Sequence, residues 1–406
     1  MTDVIVIGAG AAGMMAAITA ASNGAKVLVI EKNKEFGLKI GITGKGRCNL
    51  TNNCTLNEFL ENVPTNPRFL YRALTEFSPE DTMEFFTSRG IPLKTERGRR
   101  VFPESDSAQD IRHCLRRETE KKCTCVRDSV KELLVKDGSI AGVKTASKTY
   151  YANNVIIATG GKSYPGTGSD GDGYRFAEKL GHTIMPLKPS LVPLVAEESY
   201  CTEMMGLSLK NVALTLVDTS KNKNIYTEQG EMLFTHFGVS GPMVLSASSH
   251  IPKMERGRYK IFIDMKPALD HTALDKRIQR DFAEIPNRLF SNSLSKLLPA
   301  KMIPVIVSLS GISPDKQVNS VTKQERTDLV KLLKSFPVTI KDFRPLSEAI
   351  VTSGGIKVSE ISPKTMESKL IQGLFFAGEV MDVDAYTGGF NLQIAFSTGV
   401  TAGNNM

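Results

Sequence analysis

Gly8, Gly10 and Gly13, with a carboxylate at Glu31, are the residues whose spacing points most directly to chemistry. Gly8 permits a tight turn out of a strand, and Gly10 lets the backbone approach a pyrophosphate. Gly13 lets the following helix pack closely on the sheet. That helix offers free N–H groups and a positive dipole end to phosphates. The run Val4 to Ile7 before the turn is continuously apolar, as in a parallel strand buried on both faces. The alanine-rich stretch from Gly13 to Ser22 favours helix, Gly24 suits its end, and Lys26 to Ile30 gives a second buried strand. Glu31 then stands where a carboxylate can accept from both ribose hydroxyls of a dinucleotide. The fingerprint alone does not choose between NAD and FAD.

The choice comes from the other end of the chain. Leu374 to Ala377 reads as a buried strand running into Gly378 and Glu379, and Thr387-Gly388-Gly389-Phe390-Asn391-Leu392-Gln393 opens a small-residue helix over Ile394 to Gly403. This resembles FAD proteins of the glutathione-reductase type. There a late Gly-Asp segment holds the ribitol chain and the next helix aims its N-terminus at the flavin pyrimidine ring. Here Glu379 replaces the usual aspartate. A dipole end at that place would stabilise negative charge on a reduced flavin.

A third motif runs from Lys39 through Thr43-Gly44-Lys45-Gly46-Arg47-Cys48-Asn49 to Asn52. With three more segments it closely resembles the HI0933-like flavoprotein family, which takes in aminoacetone oxidase-like and BaiN-like enzymes. The three are Ala158 to Gly161 with Gly171-Asp172-Gly173, Leu233 to Pro242, and Pro363 to Ser368 leading into the C-terminal segment. Lys45 stands where many relatives have glycine. The resemblance covers essentially the whole chain. It implies an α/β fold: a discontinuous Rossmann-type FAD-binding domain, glutathione-reductase-like, carrying an inserted β-barrel-like domain and a small helical domain. It also implies that Gly8, Gly10, Ala12 and Gly13 bind the diphosphate, and that Glu31 and Lys32 meet the adenosine ribose. Lys39, Gly46, Arg47, Cys48 and Asn49 would line the flavin side, and Val130 would offer backbone groups to the adenine. Gly378 and Glu379 would hold the ribitol; Gly389, Phe390, Asn391 and Leu392 would meet the pyrimidine edge.

The elements that position these motifs divide the chain into residues 1–190 and 346–406 for the FAD domain and 191–345 for an insert. The insert reads as β-rich over about 191–265 and helical over about 266–335. Residues 65–120 read as largely helical, interrupted at 97–103. A hairpin is expected around Asp137-Gly138, between stretches at Val126–Val135 and Ile140–Thr145.

Among individual candidates, His236 is the best acid/base residue of five histidines. Cys48 is expected to be a small packed side chain rather than a reactive thiol, since no partner cysteine or strong base accompanies it. Tyr164 and Tyr386 read as packing residues. Arg99 and Arg100 suit an anionic substrate or a solvated turn equally well. Six cysteines lack disulfide or zinc spacing, and no metal site is expected. The start of the chain reads directly into a strand, so no leader is expected, and no apolar run nears the roughly 20 residues of a membrane span. A cytoplasmic protein follows.

Of the 406 residues, 41% are hydrophobic and 23% charged, which suits ordinary globular folding. The net charge of +8 is spread out, apart from the run Arg97-Gly98-Arg99-Arg100, and one such cluster does not make a nucleic-acid binder. The reading is an FAD-dependent oxidoreductase acting on a small organic substrate, with an acidic one suiting the basic charge. From the family, the favoured reaction is reduction of a C=C bond conjugated to a 3-oxo group, with NADH or NADPH as transient donor. Oxidation of aminoacetone by dioxygen and flavin-dependent RNA modification are the alternatives. No nucleic-acid or membrane partner is expected, and the oligomeric state is open.

Overall fold

The structure is a computed structural model that describes residues 2–406. Five short strands form a parallel sheet: β1 (Val4–Ile7), β2 (Val27–Glu31), β3 (Thr124–Arg127), β4 (Asn154–Ile157) and β5 (Leu374–Phe376), in the spatial order β5-β4-β1-β2-β3. The residues of β1, β2 and β5 are all buried, which is why each reads as an unbroken apolar run. Helix α1 (Ala11–Ser22) follows the glycine turn, and the C-terminal helix α2 (Phe390–Asn404) packs against it. Close approach of the two helices depends on small residues. A Cβ on Gly399 would lie 2.4 Å from the Ala12 carbonyl oxygen, and one on Gly403 2.6 Å from that of Ala16. Through this contact the two ends of the chain share one core.

The chain divides into two compact units: residues up to Ser190 together with Leu346–Met406, and Leu191–Pro345. The second holds a closed six-stranded barrel, built from strands between Leu194 and Phe343, and the helices His271–Ala283, Ile303–Leu309 and Lys323–Lys334. It has its own apolar core.

Two local expectations change. The expected strand Val126–Val135 is two strands, because Val126 belongs to β3 in the parallel sheet and only Val130–Lys136 enters the hairpin with Ser139–Thr145. Asp137 and Gly138 make its turn with φ of 52° and 77°, the left-handed pair that a two-residue hairpin turn needs. The interruption at 97–103 is the tip and return strand of a second hairpin, Leu93–Glu96 with Arg100–Pro103. No helix among the described residues is long and apolar enough to cross a membrane.

Candidate active site

One large cleft, enclosing about 1320 Å³ including its open mouth, runs through the first unit. Its walls come from the β1–α1 turn, the end of β2, the 158–172 segment, Ile350 and Val351, and the 377–395 segment. Two helix N-termini face it. Gly10 caps α1 and Gly389 caps α2, neither helix has a side-chain cap, and neither carries an acidic residue in its first turn. Such ends present unsatisfied N–H groups and partial positive charge, so the cleft favours anionic or carbonyl oxygen at both places.

The glycines divide the work at the first end. A Cβ on Gly13 would sit 1.9 Å from the Gly8 carbonyl oxygen, so only glycine allows the turn and the helix to meet. A Cβ on Gly10 would meet nothing within 4 Å, which leaves that backbone open to the cleft. The buried Glu31 carboxylate accepts from the Ala9 backbone N–H (2.7 Å), the Asn33 backbone N–H (2.8 Å) and the Asn33 side-chain amide (2.8 Å). Lys32 pairs with Asp170 (2.6 Å) and Asp172 (3.1 Å). Burial works against its charge, yet hydrogen bonds to these two carboxylates hold it above the usual lysine range.

At the other end Lys39 donates to Glu379 (2.7 Å) and to the Ser163 hydroxyl (2.6 Å). Glu379 also accepts from the Thr352 backbone N–H (2.8 Å) and from Ser163 Oγ (3.2 Å). Asn391 is clamped on the main chain of Ala385, donating to its carbonyl (2.7 Å) and accepting from its N–H (2.9 Å). Thr159 Oγ1 and Asn49 Oδ1 are buried with no hydrogen-bond partner. Buried polar atoms are rarely left so without reason, and Thr159 is itself in the cleft wall.

Of the residues expected from sequence, Gly8, Gly10, Ala12, Glu31, Lys32, Lys39, Val130, Gly378, Glu379, Asn391 and Leu392 line this cleft. Gly13 stands behind it as the packing residue. Gly46, Arg47, Cys48, Asn49, Gly389 and Phe390 are not in its wall. Arg47 turns to Glu96 and to Asp106 (2.6 Å) and lies over the Phe102 ring, 4.2 Å from its centroid. Cys48 is buried, and burial pushes its thiol up to about 12, against a hydrogen bond from Thr43. It is therefore a packed thiol and no thiolate nucleophile at neutral pH. His236 belongs to the second unit, exposed at the turn between the strands ending at Thr235 and starting at Gly238. Its main-chain carbonyl accepts from Thr202 Oγ1 (3.0 Å).

Sequence reasoning missed Ser163, Thr352 and the acidic pair Asp170/Asp172. Asp172 had a signal, since it stands inside the Gly171-Asp172-Gly173 motif; Thr352 had none.

The HI0933-like protein Rossmann domain model matches residues 2–405. The chain belongs to the HI0933-like family. It is an FAD-dependent oxidoreductase of that family. Two relatives are similar over nearly their full length. One is the 3-dehydro-bile acid delta(4,6)-reductase of Clostridium scindens, 33% identical over 99% of this chain and 98% of the relative. The other is the ribosomal RNA dihydrouridine synthase of Escherichia coli K12, 34% identical over 98% and 96%. Among solved structures, the open conformation of a flavocytochrome c3 fumarate reductase shares the fold, with a TM-score of 0.53 and 19% identity over 100% of this chain and 78% of that one.

Proposed function

We propose that this HI0933-like protein is a flavin-dependent reductase of a C=C bond conjugated to a carbonyl group. One observation carries the reading: two relatives matched over nearly their full length, on unlike substrates, have names that describe the same bond change. A delta(4,6)-reductase acting on a 3-dehydro bile acid saturates ring double bonds in conjugation with an oxo group. Dihydrouridine is uridine saturated across C5–C6, next to the C4 carbonyl. Each product needs one hydride and one proton added across a polarised double bond.

The cleft fits FAD on the observations above: an open Gly10, two uncapped helix ends and the orphaned Thr159 hydroxyl. The α1 N-terminus would take the diphosphate, Glu31 and Lys32 the adenosine ribose, and Val130 the adenine. Lys39 with Gly378 and Glu379 would hold the ribitol, and the α2 start at Gly389 to Leu392 the pyrimidine edge. The 46–49 loop would support the flavin side through Asn49, whose carboxamide oxygen lacks a partner. When bound, the flavin supplies hydride transfer, and the protein supplies orientation and charge. NADH or NADPH is the proposed donor, bound only in passing, because no second glycine fingerprint accompanies the first. His236 is the candidate proton donor of the insert, and His236→Ala should lower turnover without bleaching or releasing the cofactor.

The test is anaerobic mixing of the flavin-loaded protein with NADH or NADPH, then with a conjugated 3-oxo steroid or a uridine-containing RNA. Bleaching by a dinucleotide followed by recolouring with either acceptor supports the reading. Bleaching by aminoacetone but by neither dinucleotide refutes it in favour of an amine oxidase. Uracil in RNA is the second reading for the acceptor. The exposed cations Lys45, Arg97 and Arg100, none of them in an ion pair among the described residues, favour it beside the ribosomal RNA relative.

A further inference from the structure

We propose that the tip of the Leu93–Pro103 hairpin, with Lys45 beside it, docks the phosphodiester backbone of an RNA strand, an inference that rests on the RNA reading above. Three observations converge on this surface.

The first is its anchoring. Arg99 adopts a left-handed backbone, φ 59°, next to Gly98 at φ 74°. A side-chain-bearing residue held there is strained, so contacts must maintain it. Asn53 donates its backbone N–H to the Arg99 carbonyl (2.8 Å). The Asn52 amide donates at 3.0 Å both to the Gly98 carbonyl and to the Gly388 carbonyl. Gly388 immediately precedes the cap of α2, whose Asn391 and Leu392 line the cleft. One side chain thus ties the cationic tip to the end of the cleft proposed for the flavin ring.

The second is charge. Three carboxylates of this surface are already committed: Glu58 to Arg99 (2.5 Å), and Glu96 and Asp106 to Arg47, with Asp106 also to Lys94 (2.8 Å). Lys45, Arg97 and Arg100 are exposed and make no ion pair among the described residues. The Phe102 ring lies between the Lys45 loop and Arg100, and Arg100 Nε donates to the Arg97 carbonyl (3.0 Å). The Gly44 turn packs against the ring, and the Arg100 guanidinium lies 5.8 Å from its centroid.

The third is shape. These cations stand on a hairpin ridge, and none of them lines the cleft. A single phosphate needs a concave site to replace its hydration, whereas spaced exposed cations suit a polymer with a charge at every step.

The experiment uses the full flavin-loaded chain and a fluorescent, uridine-rich single-stranded RNA, read by anisotropy over a salt series. Arg97→Ala/Arg100→Ala should weaken binding at least tenfold at low salt. It should also flatten the log–log salt slope by about 1.4, two phosphate contacts at roughly 0.7 each on a single strand. Its flavin spectrum and dinucleotide bleaching should stay as in the parent. The charge-matched control Lys121→Ala/Lys122→Ala, at exposed positions ending another helix, should change affinity less than twofold. The proposal is overturned if the parent binds no RNA, if the two double variants weaken it equally, or if inorganic phosphate competes as well as RNA does. Unchanged binding in the hairpin variant, with recolouring by uridine RNA intact, sinks this docking surface and leaves the RNA reading standing. Loss of recolouring in the parent sinks the RNA reading itself.

Discussion

Alanine at Gly13 and alanine at Gly10 should have opposite signatures, although the two glycines belong to one fingerprint. At Gly13 the new Cβ would lie 1.9 Å from the Gly8 carbonyl oxygen, 3.1 Å from its carbon and 3.2 Å from the Ala158 Cβ. Two of these are main-chain atoms of the turn leaving β1, so no rotamer change relieves the clash. Helix α1 must retreat by more than an ångström. Overpacking of this kind costs about 1–3 kcal/mol, against which the better helix propensity of alanine returns up to about 1. Because the nearest obstacle is main chain and the Ala158 methyl closes the other side, a net loss near the upper end, about 2 kcal/mol, is expected. For a unit of this size that is a fall in Tm of roughly 4–8 °C. At Gly10 the Cβ meets nothing, and the backbone is extended (φ −83°, ψ −168°), which alanine adopts freely. The apoprotein should therefore lose less than about 1 kcal/mol, from the poorer N-cap. Its FAD affinity should fall at least tenfold, about 1.4 kcal/mol, because the methyl group occupies the approach to the α1 N-terminus. Thermal denaturation of both apoproteins and flavin titration by fluorescence quenching separate the two effects. If Gly13→Ala melts with the parent, or Gly10→Ala binds FAD with parental affinity, the two glycines do not divide packing from cofactor binding.

Three further outcomes follow from individual side chains. Lys39→Met leaves the Glu379 carboxylate without its cation in a part-buried wall, and should cost about 1–3 kcal/mol in urea denaturation of the apoprotein. Glu379→Gln keeps an acceptor for Thr352 and should cost less; the reverse order would contradict the ion-pair assignment. Cys48, held up to about 12 by burial, should be alkylated by iodoacetamide at pH 8 about a thousandfold more slowly than a free thiol, and peptide mass mapping of the native protein checks it. Burial lowers the pKa of His182, which bonds to Ser368 Oγ at 2.8 Å. The unfolded chain then binds more protons than the folded one as pH falls through the ordinary histidine value of about 6.5. Stability should decline as pH drops below that value and be fully present above it. His182→Gln should flatten this acid limb of the Tm–pH curve; an unaltered limb would assign it to other groups.

Which parts of this molecule were legible in its sequence follows from how local the governing physics is. The strands β1, β2 and β5 are buried on both faces, so hydrophobicity alone marks them, and the Asp137-Gly138 turn carries its own left-handed requirement. Strand β3 is different. Thr124–Arg127 is a half-exposed edge strand with a mixed pattern, and only its register with Leu28–Glu31 joins it to the sheet. The hairpin Leu93–Pro103 was equally hard to read, since Lys-Thr-Glu-Arg is as compatible with a helix as with an exposed strand until Arg100–Pro103, itself paired with Thr51 and Asn52, lies beside it. The cleft shows the same division. Gly10 and Gly13 act through their own backbone, and spacing exposes them. The Lys39–Glu379 pair joins residues 340 positions apart, and what Thr352 gives Glu379 is a main-chain N–H that any residue but proline would offer. Arg47 is the instructive case between these extremes. Its motif identifies a family, but a long guanidinium goes where the nearest carboxylates stand, and those are Glu96 and Asp106 of the hairpin that sequence had not resolved. The motif at 39–52 therefore does two jobs in space: Lys39 faces the cleft, while Arg47 braces the hairpin whose remaining, unpaired cations are proposed to meet the substrate.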